Sequence, residues 1–116
     1  MNKSSIGIIL LTHGKFAIVD SWRYLALSKF TWRAVQHKRS FYAKTTIFKD
    51  GKQIDISMHR FVAGTRFGDV CHHINHNSLD NREANLENQT KQTHDTYSRN
   101  NKILVKFDET FRRHLQ

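Results

Sequence analysis

The most informative segment of the sequence lies at residues 70–94 and reads VCHHINHNSLDNREANLENQTKQTH. Its beginning, residues 70–74, is a short run that predicts a β-strand. Residues 75–81 are polar at nearly every position and predict a loop. A short strand at residues 86–88 and a helix that begins with Thr90 as its N-cap complete the segment. A strand, a long loop, a strand and a helix in this order can bring the end of the first strand close to the start of the helix.

Histidine is concentrated in and around this segment. Five of the eight histidines fall within 36 residues: His59, His72, His73, His76 and His94. Adjacent residues in a strand point to opposite faces, so His72 and His73 can share one site only if the strand ends or twists there. The loop predicted directly after this pair provides such an end, and the segment can then place two imidazoles on a metal ion and a third beside it. For His76 we favour a solvated loop position over a phosphate contact.

Length, composition and charge limit the class of protein. The chain has 116 residues, of which 38% are hydrophobic, and 19 Lys and Arg against 10 Asp and Glu give a net charge of +9. These values predict a single water-soluble globular domain. The single cysteine excludes an intrachain disulfide framework, and no apolar run reaches the roughly 20 residues of a membrane-spanning helix. We therefore expect a cytoplasmic protein, with no membrane and no disulfide partner, that binds a polyanion.

The first half of the chain predicts a small antiparallel sheet. Short runs alternate between apolar and polar residues, and Asp50-Gly51 is a strong hairpin signal. The predicted strands are residues 6–11, 15–19, 29–35, 40–48 and a run that follows residue 51. Predicted helical pieces are residues 21–28 and 59–63, the second of which is ended by Gly64. Trp22 and Trp32 are expected in the core.

The excess of positive charge lies in this predicted sheet region. Residues 1–70 contain 12 Lys or Arg and 4 Asp or Glu, whereas residues 71–116 contain 7 and 6. Alternation along the strands places three polar side chains on one face, and a basic turn adds two more; these candidate DNA contacts are Arg33, Tyr42, Lys44, Lys38 and Arg39. Such a face can lie against a groove of a nucleic acid.

Several short motifs, taken together, resemble those of a known family. His73-Ile74-Asn75, Leu79-Asp80-Asn81-Arg82, Asn85-Leu86, and Thr90 followed by His94 resemble the HNH motif of ββα-metal (His-Me finger) nucleases. Upstream, the stretch FAIVD at residues 16–20, Trp32, Tyr42-Ala43, and Met58-His59-Arg60 with Gly64 look like small phage HNH endonucleases that carry an N-terminal three-stranded DNA-binding sheet. Many of those enzymes are homing endonucleases. The resemblance covers about residues 15–100.

The resemblance implies a fold and an organisation of the chain. The fold class is α+β, with a small antiparallel sheet followed by a ββα-metal nuclease core. Residues 1–57 would form the basic DNA-binding region, residues 58–101 the nuclease core and residues 102–116 a C-terminal tail. If a phage encodes the protein, it would act in the cytoplasm of the host cell. In the family-like pair of His59 and Arg60, packing or a backbone bond is expected for His59 and a phosphate contact for Arg60.

The resemblance also implies roles for four residues. His73 falls at the position of the general base, and Asn85 at the middle position, whose side chain bonds backbone and holds the loop and the base. His72 and His94 fall at the positions that bind a single divalent metal ion. The family usually has Asp at the first of these metal positions and often has Asn at the second. Two imidazoles favour Mn²⁺, Co²⁺, Ni²⁺ or Zn²⁺ over Mg²⁺.

Three functions are consistent with the sequence. The leading hypothesis is a metal-dependent HNH endonuclease of the homing type that nicks or cuts duplex DNA. The second is a non-catalytic DNA-binding protein on the same scaffold, and the third is a broad-specificity, toxin-like nuclease. The oligomeric state is open, because a monomer would nick DNA and a dimer could cut both strands.

Overall fold

The computed structural model describes residues 5–90, which form an α+β fold of antiparallel sheets and short helices. The coarse fold class is therefore confirmed. The predicted helix after Thr90, the proposed metal ligand His94 and the tail at residues 102–116 lie outside the described residues. The elements in chain order are β1 (Ile6–Leu10), β2 (Phe16–Asp20), a 3₁₀ turn (Ser21–Arg23), α1 (Tyr24–Leu27), β3 (Arg33–His37), β4 (Ser40–Lys49), β5 (Lys52–Ser57), α2 (Met58–Ala63), β6 (Val70–His73), a second 3₁₀ turn (Glu83–Asn85) and β7 (Leu86–Gln89).

Within residues 5–90 the strands form three small antiparallel sheets, each from strands that are neighbours in sequence. β1 pairs with β2, β3–β4–β5 form a three-stranded sheet, and β6 pairs with β7. The predicted hairpin at Asp50-Gly51 is confirmed, because Lys49 pairs with Lys52 and leaves these two residues as the turn. Both have positive φ, 51° and 75°, as a tight turn matched to the twist of the strands requires.

One hydrophobic core joins the first half of the chain to the start of the second. Val19 of β2 and Ile47 of β4 pack in the same cluster as Met58 and Val62 of α2. Trp32 belongs to this cluster, is 3% exposed, and donates its indole N–H to the carbonyl of Leu27 at 2.8 Å. The described parts of the predicted DNA-binding region and nuclease core are thus built around shared apolar contacts.

The expectation for Trp22 is wrong. Its side chain is 48% exposed, and the guanidinium of Arg23 lies over its ring at 4.2 Å from the centroid. Trp22 lies in the 3₁₀ turn after β2, where residues no longer alternate between a core face and a solvent face. The third strand also begins later than predicted, at Arg33, because the chain turns after α1 through a bond from Phe30 N to Leu27 O.

The helix α2 ends as its sequence predicts. Gly64 adopts the left-handed conformation at φ 63°, and the amides of Gly64 and Thr65 donate to the carbonyls of Phe61 and Arg60. This ending is typical of a glycine-capped helix and turns the chain towards β6. The sulfur of the single cysteine, Cys71 in β6, is buried and lies 3.7 Å from the carbonyl of His59, so α2 packs beside β6. In the described part of the chain no helix is long and apolar enough to span a membrane.

Candidate functional site

His73 ends β6 and has a fixed orientation. Its side chain is 7% exposed, and its Nε2 lies 2.8 Å from Oδ1 of Asn81. Because an amide oxygen only accepts hydrogen bonds, Nε2 carries the proton and Nδ1 is the basic nitrogen of the neutral ring. Burial lowers the pKa of His73, while Asn81 and the charge of Asp80 act in the opposite direction. The ring is therefore neutral at pH 7 and able to accept a proton.

A second imidazole lies against His73. The ring centroids of His59 and His73 are 4.9 Å apart, and the ring of Tyr42 is 5.5 Å from that of His59 and 6.2 Å from that of His73. Burial, with the nearby His73, lowers the pKa of His59 to about 3. Among the described residues its buried Nδ1 has no hydrogen-bond partner. His59 is thus an uncharged ring that packs beside His73, which agrees with the packing role expected for it.

Asn85 holds the loop that follows His73. Its Nδ2 donates to the side-chain oxygen of Asn75 and to the backbone carbonyl of Asp80, both at 2.9 Å. Its Oδ1 accepts the backbone N–H of Asn75 at 3.0 Å, and its own carbonyl accepts the amide of Ile74 at 2.9 Å. Asn85 is 6% exposed, so water does not replace these bonds. The residue therefore joins both ends of the loop.

Asp80 provides a second fixed point in the same loop. It is 2% exposed, and its carboxylate accepts bonds from Asn75 Nδ2 at 2.8 Å and from the guanidinium of Arg82 at 2.8 and 2.6 Å. The hydrogen bond from Arg82 is the largest cause that lowers the pKa of Asp80. Asp80 is therefore charged at pH 7, and the loop keeps a buried but well-paired carboxylate.

The loop is also bonded to the N-terminal hairpin. The amide of Ile18 in β2 donates to the carbonyl of Leu79 at 2.8 Å, and the amide of Asn81 donates to the carbonyl of Ile18 at 2.7 Å. The carboxylate of Asp20 accepts the amide of Glu83 at 2.8 Å. Since Asn81 also holds His73, β2 positions the imidazole through a single intermediate residue.

An open pocket of about 410 Å³ lies at the end of β6. Its lining residues are Ser40, Tyr42, Val70, Cys71, His72, His73, His76 and Ser78. All four residues of β6, including His72 and His73, line this pocket, and burial alternates along the strand so that His73 is buried and His72 is partly exposed. Ser78 Oγ donates to the carbonyl of Phe41 and joins the loop to β4. The pocket thus lies between the loop, β6 and the start of the three-stranded sheet.

Three of the candidate DNA contacts, Arg33, Tyr42 and Lys44, lie on the three-stranded sheet. Arg33 lies beside Lys44 in register, but it already donates to Thr46 Oγ1 at 2.9 Å and pairs with Asp55 at 3.3 Å. The hydrogen bond from Thr46 and the charge of Arg33 lower the pKa of Asp55. Tyr42 shares the face of Lys44 and also lines the pocket, so this face of the sheet leads into the pocket.

The remaining candidate DNA contacts lie apart from one another. Lys38 and Arg39 form the exposed two-residue turn between β3 and β4, where His37 pairs with Ser40. Arg60 donates to the backbone carbonyls of Asp69 at 2.8 Å and Arg66 at 2.9 Å. Its guanidinium therefore holds the chain between α2 and β6, a task that the sequence does not reveal.

The metal position is described in part. Among residues 5–90 there is no group of three or more His, Cys, Asp or Glu side chains that could hold a metal ion. His72 is partly exposed in the pocket, with the ring of His76 at 5.5 Å, while His94 lies outside the described residues. Neutral imidazoles fit a borderline divalent ion better than they fit Mg²⁺.

Sequence reasoning gave no role to two residues that shape the site, Asn81 and Asp80, although both belong to the motif quoted for the resemblance. For His59, packing or a backbone bond was expected, but its place beside His73 was not. Their signal was proximity to the motif, since nothing in a linear pattern shows that Asn81 meets His73.

Comparisons of the chain with protein-family models, with curated proteins and with solved structures give no match.

Proposed function

We propose that this chain is a metal-dependent endonuclease of the HNH type that hydrolyses phosphodiester bonds of duplex DNA. The observation that supports this most is His73, a buried neutral imidazole whose Nε2–H is held by Asn81 and which lines an open pocket beside His72. A general base needs an unprotonated nitrogen at working pH and a fixed orientation. His73 meets both requirements.

In the proposed reaction, Nδ1 of His73 takes the proton from the water that attacks the scissile phosphorus. Asn81 keeps the other ring nitrogen protonated, and His59 confines the ring from one side. Asn85 acts by positioning, because its bonds to Asn75 and Asp80 keep the loop in place over the pocket. These roles concern orientation as much as proton transfer, and a displacement of about 1 Å in such a site costs about 10²-fold in rate.

The proposed metal ligands are His72 and His94, of which His72 lies in the described pocket. A bound divalent ion would hold the scissile phosphate and stabilise the departing 3′ oxygen. Because imidazole nitrogen is a borderline ligand, we propose that Mn²⁺, Co²⁺, Ni²⁺ or Zn²⁺ supports activity at least as well as Mg²⁺.

Duplex DNA is the proposed substrate because the chain is strongly basic and because one face of its three-stranded sheet leads into the pocket. The chain carries a net charge of +9, and residues 1–70, which include the three-stranded sheet, account for +8 of it because they contain 12 Lys or Arg and only 4 Asp or Glu. Lys44 and Tyr42 share the solvent-facing side of that sheet, and Tyr42 also lines the pocket. A DNA backbone bound on this face would run towards His73. We propose Lys38 and Arg39 as further phosphate contacts at the exposed turn, in a protein that acts in the cytoplasm.

A supercoiled-plasmid assay tests the proposal. The wild-type protein, His73→Ala and the control His13→Asn are incubated in EDTA and in Mg²⁺, Mn²⁺ and Ni²⁺. His13 is an exposed imidazole in the β1–β2 turn. We expect open circles from the wild type and the control, only with metal, and a loss of at least about 10²-fold in His73→Ala, the lower range for a general base.

The other outcomes of the assay identify different functions. Firm, salt-sensitive DNA binding without cleavage in any metal, also on DNA of the source genome, would favour the non-catalytic DNA-binding protein. Equal cleavage of unrelated DNA and RNA would favour the broad-specificity nuclease. Linear product at early times would show that a dimer cuts both strands.

A further inference from the structure

We propose that His76 is a metal ligand and that it binds a borderline divalent ion such as Zn²⁺ together with His72. The motif that the sequence resembles gives no role to His76, and its position in a polar loop predicted a solvated side chain. In the fold, however, His76 lines the same pocket as His72. The inference takes its metal from the proposed function and adds a ligand to it.

The separation of the two rings matches a shared ion. The centroids of His72 and His76 are 5.5 Å apart. With a Zn–N bond of about 2.0–2.1 Å and a ring centroid about 1.2 Å behind the bonded nitrogen, two imidazoles on one tetrahedral ion have centroids about 5.3 Å apart. The rings meet at an interplanar angle of 76°. His76 is exposed, and its terminal side-chain torsion is broad, so a different edge of its ring can be turned towards His72.

The backbone at His76 is costly for an ordinary loop residue. Its φ is 64°, in the left-handed region, and its amide is held by the carbonyl of His73 at 3.0 Å. A Cβ makes this conformation sterically unfavourable, and glycine or asparagine is the usual choice. The neighbours Asn75 and Asn77 show that asparagine is common in this loop. A turn that places an imidazole here brings it back over the end of β6, beside His72.

The chemistry of the pocket selects the kind of ion. The described residues that line the pocket include His72 and His76, together with Ser40, Tyr42 and Ser78, and no Asp or Glu is among them. Two imidazole nitrogens without a carboxylate suit Zn²⁺, Co²⁺ or Ni²⁺, whereas Mg²⁺ prefers oxygen ligands and keeps its water. Open coordination positions facing the pocket could take water or a phosphate oxygen.

Zinc titration of the full-length chain, followed by NMR of the imidazole nitrogens, tests the proposal without DNA. The variant is His76→Asn, because asparagine tolerates the left-handed backbone and lacks the imidazole. The matched control is His13→Asn, an exposed histidine at φ 60° in another turn. In the wild type we expect a ring nitrogen of His72 and one of His76 to shift with the same midpoint. In His76→Asn we expect the His72 midpoint to rise at least about tenfold, and in the control less than twofold.

Three results would overturn the proposal. They are no shift of His76 with zinc, an unchanged His72 midpoint in His76→Asn, and a His76 resonance that responds to a DNA duplex but not to zinc, which would make it a phosphate contact. The outcome is separable from that of the plasmid assay. Zinc binding by both histidines in a protein that cuts no DNA refutes the nuclease alone, whereas normal zinc binding by His76→Asn beside an active wild type refutes this ligand alone.

Discussion

Replacing Asn85 with alanine should destabilise the whole described fold, and the size of the effect can be worked out from its hydrogen bonds. The side chain makes three bonds, two from Nδ2 and one to Oδ1, at 2.9, 2.9 and 3.0 Å. Asn85 is 6% exposed, so the partners left behind by Asn85→Ala have little access to water. At about 1 kcal/mol for each bond, the free energy of unfolding should fall by about 3 kcal/mol.

Urea denaturation followed by tryptophan fluorescence, to which the buried Trp32 contributes the change on unfolding, measures this loss. With a urea dependence of about 2 kcal/mol/M, the midpoint should fall by about 1.5 M. The matched control is Gln53→Ala, which removes an exposed amide from β5 and should change stability by less than about 0.5 kcal/mol. Asn85→Asp should lose at least as much as Asn85→Ala at pH 7, because a carboxylate oxygen would face the two oxygens that Nδ2 now binds. A loss below about 1 kcal/mol in Asn85→Ala would refute the idea that this side chain holds the loop.

Four further changes test other parts of the structure. An unfolded histidine titrates near pH 6.5, but the pKa of His59 is about 3 in the fold, so below pH 6.5 the unfolded chain binds a proton at His59 that the folded chain does not bind. The wild type should therefore lose stability between pH 7 and pH 5, and His59→Phe should remove up to about 2 kcal/mol of that loss in urea titrations. Equal losses of stability in the wild type and the variant would contradict this. Lys44→Ala should lower the slope of log K against log salt for DNA binding by about 1, in fluorescence anisotropy at several salt concentrations, and an unchanged slope would exclude a phosphate contact. Arg60→Ala should leave that slope unchanged but lower the urea midpoint, since its guanidinium holds two backbone carbonyls, and the reverse pattern would make it a DNA contact. Gly64→Ala should cost about 1–2 kcal/mol in the same urea assay, because φ is 63° there, and a neutral effect would show that the helix end relaxes.

The local elements could be predicted from sequence because their signals are local. Asp50-Gly51 gives its turn, Gly64 ends α2, and alternation along β4 gives the buried side chains of Ala43, Thr45 and Ile47. Trp22 shows where this reasoning fails. Its large apolar ring predicts burial, but it lies in a 3₁₀ turn outside any alternating pattern, and the cation of Arg23 covers part of its surface instead.

The site was predictable only where its residues are adjacent in sequence. The end of β6 at the His72-His73 pair follows from the polar loop after it. The contact between His73 and Asn81, and the ring of His59 beside His73, depend on how loop, helix and strand meet in space. Counting charges likewise could not show that Arg60 donates to backbone carbonyls. Every residue has a backbone carbonyl, so the sequence does not mark the two that Arg60 binds.

The bonds between Ile18 and residues 79–81 have a consequence for the order of folding. They close a chain segment of about 60 residues, and contacts of such long range form late and slow the folding of small domains. During synthesis the β1–β2 hairpin leaves the ribosome before residues 79–81, and it lacks its bonds to them until they emerge. Until the hairpin meets residues 79–81, the loop that contains Asn81 lacks its bonds to Ile18. A fragment that begins at residue 58 would lack β2, so its loop at residues 79–81 would lose both bonds to Ile18 and, with them, part of what holds Asn81 in place.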